Sequence, residues 1–138
     1  MNRIVADTNI LVYAVDRCSR FHQRSLDFLT RHAGIYLPGK VLVEFYAVVT
    51  RAAIRPLSPA EALNAIAWFA RSFPILHANS DSQRILWDLA QRYNPSGLRI
   101  HDFEIASIAL AHRIERLATF NARDFASVRE LQITDLQL

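Results

Sequence analysis

The sequence predicts an α/β domain with a mostly parallel central sheet of 4–5 strands, and three observations carry that prediction. Short apolar or β-branched runs at 3–6, 35–37, 74–76, 116–120 and 131–134 are separated by longer stretches of helical periodicity. Strands alternating with helices in this way build sheets covered by helices. Polar and acidic residues, Asp7 and Asp124 among them, follow two of the strand candidates. In such sheets, sites form beyond the carboxyl ends of the strands.

The elements follow in order. Residues 3–6 form a short buried strand bounded by Asp7, and 9–15 place Ile10, Leu11, Ala14 and Val15 at helical spacing. A second helix is expected over 19–32, with Phe21, Leu26, Phe28 and Leu29 as its apolar points, ended by Gly34. The strand 35–37 stops at Pro38-Gly39, and a long helix runs over 40–53. Ser58, Pro59 and Glu61 then supply an N-cap, a proline at the first helical position and a capping-box partner for the helix 59–71. After the strand 74–76, Ser80 or Asp81 caps a helix to Tyr93 whose stripe is Ile85, Leu86, Leu89 and Ala90. Asn94-Pro95-Ser96-Gly97 is a loop, 100–114 a helix, and 116–120 and 131–134 the last strands.

Composition limits what the chain can be. At 138 residues it is expected to form a single domain, 1–138, with a sizeable core. With 51% hydrophobic and 21% charged residues it is globular rather than disordered. No apolar run approaches the ~20 residues that span a bilayer. The apolar run 4–6 is too short for a secretory leader, and Asp7 follows it at once. A lone cysteine, Cys18, makes no internal disulfide, which fits a reducing cytoplasm. The net charge is +3, and Lys40 is the one lysine among 16 basic residues. Arginine's planar fork suits phosphate recognition, although a GC-rich coding sequence produces the same bias. The basic balance therefore permits a nucleic-acid ligand.

Four acidic residues stand in contexts that turn them inward or to a strand end: Asp7, Glu44, Asp102 and Asp124. A carboxylate facing a core is costly unless a cation compensates it. Asp102 sits in a first helical turn above Ile105, Ala106, Ala109 and Leu110, where it also suits the helix dipole. Glu44 shares a helix face with Val41, Ala47 and Val48, and is expected to be part-buried and either metal-bound or paired with Arg51. Asp7 is equally suited to cap the helix at Asn9, and 121–124 to form a turn and cap. Taken together, the four point to a site for a hard divalent cation, which accepts oxygen ligands, reconciles carboxylates with an anionic phosphodiester and activates water.

Other residues receive structural expectations. The five histidines show no zinc-like pairing, with His101 read as a helix-start polar residue, and Gly97 lacks a phosphate-loop context. Glu104 is expected to face solvent, Asp16 and Asp81 to lie in turns or caps, and Trp68, Phe69 and Trp87 to enter the core, with a partner groove as the alternative for some of the three.

The stretches Ile4-Val5-Ala6-Asp7-Thr8-Asn9, Val41 to Val49 around Glu44, His101-Asp102-Phe103-Glu104-Ile105-Ala106, and Leu117-Ala118-Thr119-Phe120-Asn121-Ala122-Arg123-Asp124-Phe125 resemble, in their order and separation, the PIN-domain family. They are most similar to the VapC-type toxins of bacterial toxin–antitoxin pairs. The resemblance implies a three-layer α/β/α fold and an acidic pocket for Mg²⁺ or Mn²⁺. It implies a metal-dependent endoribonuclease acting on RNA, restrained by a cognate antitoxin protein, and a homodimer. Asp7, Glu44 and Asp102 match the three core acids of the family. The fourth acidic position falls within 121–124, where Asn121 replaces a carboxylate by an amide and leaves Asp124 as the fourth acid. Thr8, Asn9 and Thr119 match polar positions that orient the acids, and the Asn121 carbonyl can support them. Arg99 and Arg123, close to the acids in sequence, are the candidates to contact substrate. Two other readings are a housekeeping PIN ribonuclease without antitoxin and a catalytically weak PIN domain that binds RNA or a protein.

Overall fold

The computed structural model describes residues 2–138. Five strands form one sheet in the order β3-β2-β1-β4-β5. They are β1 (Ile4–Ala6), β2 (Ile35–Pro38), β3 (Ile75–Leu76), β4 (Arg116–Thr119) and β5 (Gln132–Asp135), and every pairing is parallel. In the central register Ile4 lies opposite Ile35, and Val5 opposite Leu117. All three residues of β1 are buried, as a strand covered on both faces requires.

Helices flank the sheet to give a three-layer α/β/α domain: α1 (Thr8–Val15), α2 (His22–Arg31), α3 (Gly39–Arg51), α4 (Pro59–Ser72), α5 (Ser80–Tyr93), α6 (Ile100–Ala111) and the short α7 (Ala122–Phe125). α1 packs on α2 and α3, α3 on α4, and α5 on α6. α6 is the most buried helix, with Phe103 and every residue from Ile105 to Ala109 inside. Phe45, Phe69, Phe103, Phe120 and Phe125 are the largest fully buried side chains of the core.

Local chemistry sets the boundaries. Ser58 and Glu61 complete the expected capping box at the start of α4, with Pro59 behind the cap. The cap of α5 is Asn79 rather than Ser80 or Asp81, because its side chain accepts from Ser82 N–H while Ser82 returns the bond. α5 stops at Asn94, which adopts the left-handed conformation that asparagine tolerates, and the expected loop follows. α6 ends at Ala111, three residues before the predicted end, where Arg113 turns left-handed and Ile114 N–H bonds back to Ala109. Residues 122–125 wind into α7 instead of remaining a turn.

Trp68 and Trp87 are not core residues: they are 49% and 55% exposed, whereas Phe69 is 2% exposed. A helix on one face of a sheet buries a single stripe, and on α4 and α5 that stripe passes through Phe69 and Leu86, one residue away from each tryptophan.

The strand order reverses direction between β1 and β4. From β1 the chain adds β2 and β3 on one side, then crosses back to place β4 and β5 on the other. This switch point opens a crevice at the carboxyl ends of β1 and β4.

Gly34 holds the approach to β2. Its φ is +77°, its carbonyl accepts from Ile4 N–H at 2.9 Å, and a Cβ there would come within 2.4 Å of the Asn2 carbonyl oxygen. Gly34→Ala should therefore lower stability by about 1–3 kcal/mol, read as a lower urea midpoint at unchanged slope. An unchanged midpoint would mean that the turn relaxes without cost.

Candidate metal and nuclease site

The crevice is lined with acids. β1 runs directly into Asp7, whose extended backbone caps α1 and whose Oδ1 accepts from Thr8 N–H at 2.7 Å. The capping reading of Asp7 is thus correct, and its second oxygen is what the cap leaves over. Thr119, at the end of β4, donates to Asp7 Oδ2 at 2.7 Å, and Asn9 Nδ2 approaches the same oxygen at 3.3 Å. Asn9 also accepts from Phe120 N–H at 3.2 Å, so its amide joins α1 to β4 by both ends. Asn121 N–H in turn donates to Thr119 Oγ1 at 2.9 Å.

Glu44 comes from the middle of α3, half-buried, where Thr8 Oγ1 donates to its Oε1 at 2.7 Å. The alternative partner Arg51 is exposed on the last turn of α3, and Ala47 is exposed too, so the buried face of the helix runs through Val41, Phe45 and Val49. Asp102 enters from the first turn of α6 and Asp124 from α7, both half-buried. A cavity of about 390 Å³ is lined by all four carboxylates together with Thr8, Asn9 and Asn121. Val12, Tyr13 and Val48 complete the lining.

The sequence did not single out Val12 and Tyr13, and it named Val48 only as a neighbour of Glu44 on its helix face. A signal was present, since Val12, Tyr13 and Val48 lie one helical turn beyond Thr8, Asn9 and Glu44.

The cations lie elsewhere. Lys40 Nζ is 3.1 Å from Glu104 Oε1 and 2.9 Å from His101 Nδ1, so Glu104 is half-buried in an ion pair instead of facing solvent. An ammonium only donates, so His101 Nδ1 accepts from it. Arg99 donates to the Asp124 carbonyl at 3.2 Å, which puts it beside the site, while Arg123 is exposed on α7 and does not line the cavity. Among the described residues, no three His, Cys, Asp or Glu side chains stand in a ready-made metal-holding group. The acids share a cavity without closing on one point.

Two carboxyls carry the strain. Burial pushes Asp7 up to about 6 against the hydrogen bonds from Thr119 and Thr8, which pull it down, and Glu44 and Asp124 add repulsion. Burial likewise pushes Asp102 up to about 7, reinforced by Asp7, Asp124 and Glu44 and eased by Arg99. Between pH 3.8 and about 7 the folded protein holds a proton at Asp102 that the unfolded chain releases. Stability is therefore greatest at the acid end of that window and falls as pH rises through it. Without added metal, Asp102→Asn should raise the melting temperature by a few degrees at pH 8 and leave it unchanged near pH 3.5. A loss of stability at pH 8 would show that the Asp102 charge is compensated from within the protein.

The PIN domain family model matches residues 4–131. No curated protein sequence matches significantly. Among solved structures, VapBC2 from Rickettsia felis, bound to a DNA fragment from its promoter, superposes with a TM-score of 0.72 at 20% identity, covering 96% of this chain and 97% of that one. Mycobacterium tuberculosis VapC20, a Sarcin-Ricin loop cleaving toxin, gives 0.73 at 14% identity over 91% and 95% of the two chains. FitAcB from Neisseria gonorrhoeae gives 0.73 at 16% over 97% and 98%. At these identities the likeness is one of fold, and it extends over nearly the whole chain. With the family model running from the start of β1 to the residue before β5, this chain belongs to the PIN domain family.

Proposed function

We propose that this protein is a metal-dependent endoribonuclease that hydrolyses RNA phosphodiester bonds, and that it is the toxin of a VapC-type toxin–antitoxin pair. The observation that carries this reading is the meeting of Asp7, Glu44, Asp102 and Asp124 in one cavity, with Asp7 and Asp102 pushed up by burial and by their acidic neighbours. The donor set is all oxygen and rich in carboxylate, which fits Mg²⁺ or Mn²⁺ and not a softer metal. Asp7, Asp102, Glu44 and Asp124 would hold the ion, with the Asn121 carbonyl in reach of the same cavity. When bound, such an ion supplies Lewis acidity toward the phosphodiester and activates water for in-line attack.

The chain's own residues prepare the site. Thr119, Asn9 and Thr8 fix the Asp7 carboxylate, and the Thr8 hydroxyl fixes Glu44. Asp102 and Asp124 are brought in by helices anchored through Phe103 and Phe125. Arg99 is placed to meet a phosphate beside the acids, and Arg123 is free to do so from α7.

RNA as the substrate draws support from VapC20, described as a Sarcin-Ricin loop cleaving toxin. An antitoxin partner draws support from the VapBC complexes. A homodimer belongs to the same reading, since Val43, Ile54, Leu63 and Trp68 are exposed apolar side chains that protein partners would cover. No helix among the described residues is long and apolar enough to cross a membrane. A cytoplasmic location belongs to the proposed reading, and the lone cysteine, Cys18, agrees with it. A second reading, a weak PIN domain kept for binding, is favoured by one observation: the exposed amide of Asn121 brings no charge to the cavity.

Purified protein should cleave a structured RNA pool with Mg²⁺ or Mn²⁺ and not with EDTA. Asp7→Asn and Asp102→Asn should each lower the rate by at least about a hundredfold, since even outer-shell changes at metal sites cost ten- to hundredfold. Undiminished cleavage in both variants would refute the acidic site, and RNA binding without turnover by the wild type would select the second reading. Asn121→Asp adds a carboxylate to the cavity wall. It should tighten Mn²⁺ binding, measured by titration calorimetry, by roughly three- to tenfold.

A further inference from the structure

Val12, Tyr13 and Val48 give the acidic cavity one wall of a different kind. A phosphodiester group gains little from two valines and the face of an aromatic ring. A nucleobase has the flat π-face that such a wall accommodates.

The ring of Tyr13 is held in place before any ligand arrives. Its centroid lies 5.1 Å from that of Phe120 with the planes at 82°, and 5.3 Å from that of Phe21. Phe21 and Phe120 are themselves 4.8 Å apart, which closes a three-ring cluster. Phe120 is 1% exposed, and its carbonyl accepts from Gln137 Nε2 at 2.6 Å. Arg20 caps the outer end of the cluster, its Cζ 4.6 Å from the Phe21 ring centre. An aromatic side chain fixed in this way stacks on a ligand with little further loss of conformational freedom.

Position along α1 links this wall to the acids. Tyr13 lies one turn beyond Asn9, which holds Asp7, and Val12 one turn beyond Thr8, which holds Glu44. The same two turns of helix therefore set the acids and the ring at a fixed separation.

We propose that Tyr13, flanked by Val12 and Val48, is a base-stacking subsite that receives the nucleobase next to the phosphodiester engaged by the acids. The inference rests on the ribonuclease reading of the same cavity. Stacking accepts any base, so the subsite contributes affinity and registration of the strand more than sequence choice.

The test is NMR of protein carrying ¹³C-labelled tyrosine rings, with the Tyr13 signals among the four tyrosines identified by their loss in Tyr13→Phe. The folded wild type is titrated in Mg²⁺ with AMP and, separately, with ribose 5-phosphate. We expect the Tyr13 ring signals to shift with AMP and not with ribose 5-phosphate. Tyr13→Leu should weaken AMP binding about tenfold and leave ribose 5-phosphate binding within about twofold. Equal shifts with both ligands, or none with either, would overturn the subsite. Metal-dependent RNA cleavage by the same preparation keeps the two readings apart. Cleavage without an AMP-specific shift overturns the subsite alone, whereas the shift without cleavage upholds base binding and overturns the nuclease reading.

Discussion

A carboxylate buried at the seam of two parallel strands organises this protein. Asp7 is 6% exposed, and both of its oxygens are engaged, one by Thr8 N–H and the other by Thr119 and Asn9. These bonds end β1, start α1 and fasten both to the end of β4. They also favour the ionised form, yet burial and the neighbouring acids outweigh them. The group that fixes the geometry of the crevice is thus one whose charge the fold alone does not neutralise. The hydrogen bonds determine where the carboxylate stands, and a bound cation would offset the burial and repulsion that raise its pKa there.

Charge is segregated around that centre. The chain is basic overall, but its ion pairs lie away from the four acids, Lys40 with Glu104 and Arg92 with Glu130, while Arg99 stands beside them on the Asp124 carbonyl. No arginine closes on the four carboxylates to form a structural ion pair, which was the strongest alternative for Glu44. The protein carries a net charge of +3, yet a polyanion reaching the cavity meets four carboxylates there. Such a contrast is wasteful in a simple binding surface and natural where a divalent ion mediates the contact.

Much of this was legible in the sequence, for reasons that can be named. The strand and helix order followed from periodicity, and the α4 start from Ser58, Pro59 and Glu61, because capping chemistry is local. The inward placement of Asp102 followed from its apolar neighbours at helical spacing, whereas for Glu44 the guide was only partly right, because Ala47 on its expected face is exposed. What stayed hidden depends on packing between distant segments. The exposure of Trp68 and Trp87 reflects which stripe of each helix meets the sheet, and composition cannot distinguish stripes one residue apart. The Lys40 to Glu104 pair joins α3 to α6 across a gap no local pattern encodes. The aromatic wall at Tyr13 depends on Phe120, more than a hundred positions away, coming to lie beside it.

The central position of β1 between β2 and β4 has a consequence for synthesis. During synthesis Asp7 is made 112 residues before its partner Thr119, and the last acid, Asp124, comes later still. Until then β1 has an unpaired edge, Asp7 lacks its hydroxyl donor, and the cavity lacks a wall. Contacts this distant in sequence also form late, because the loop they close must first be ordered. An incomplete chain released before residue 124 would contain most of the core and lack one of the four carboxylates that line the cavity.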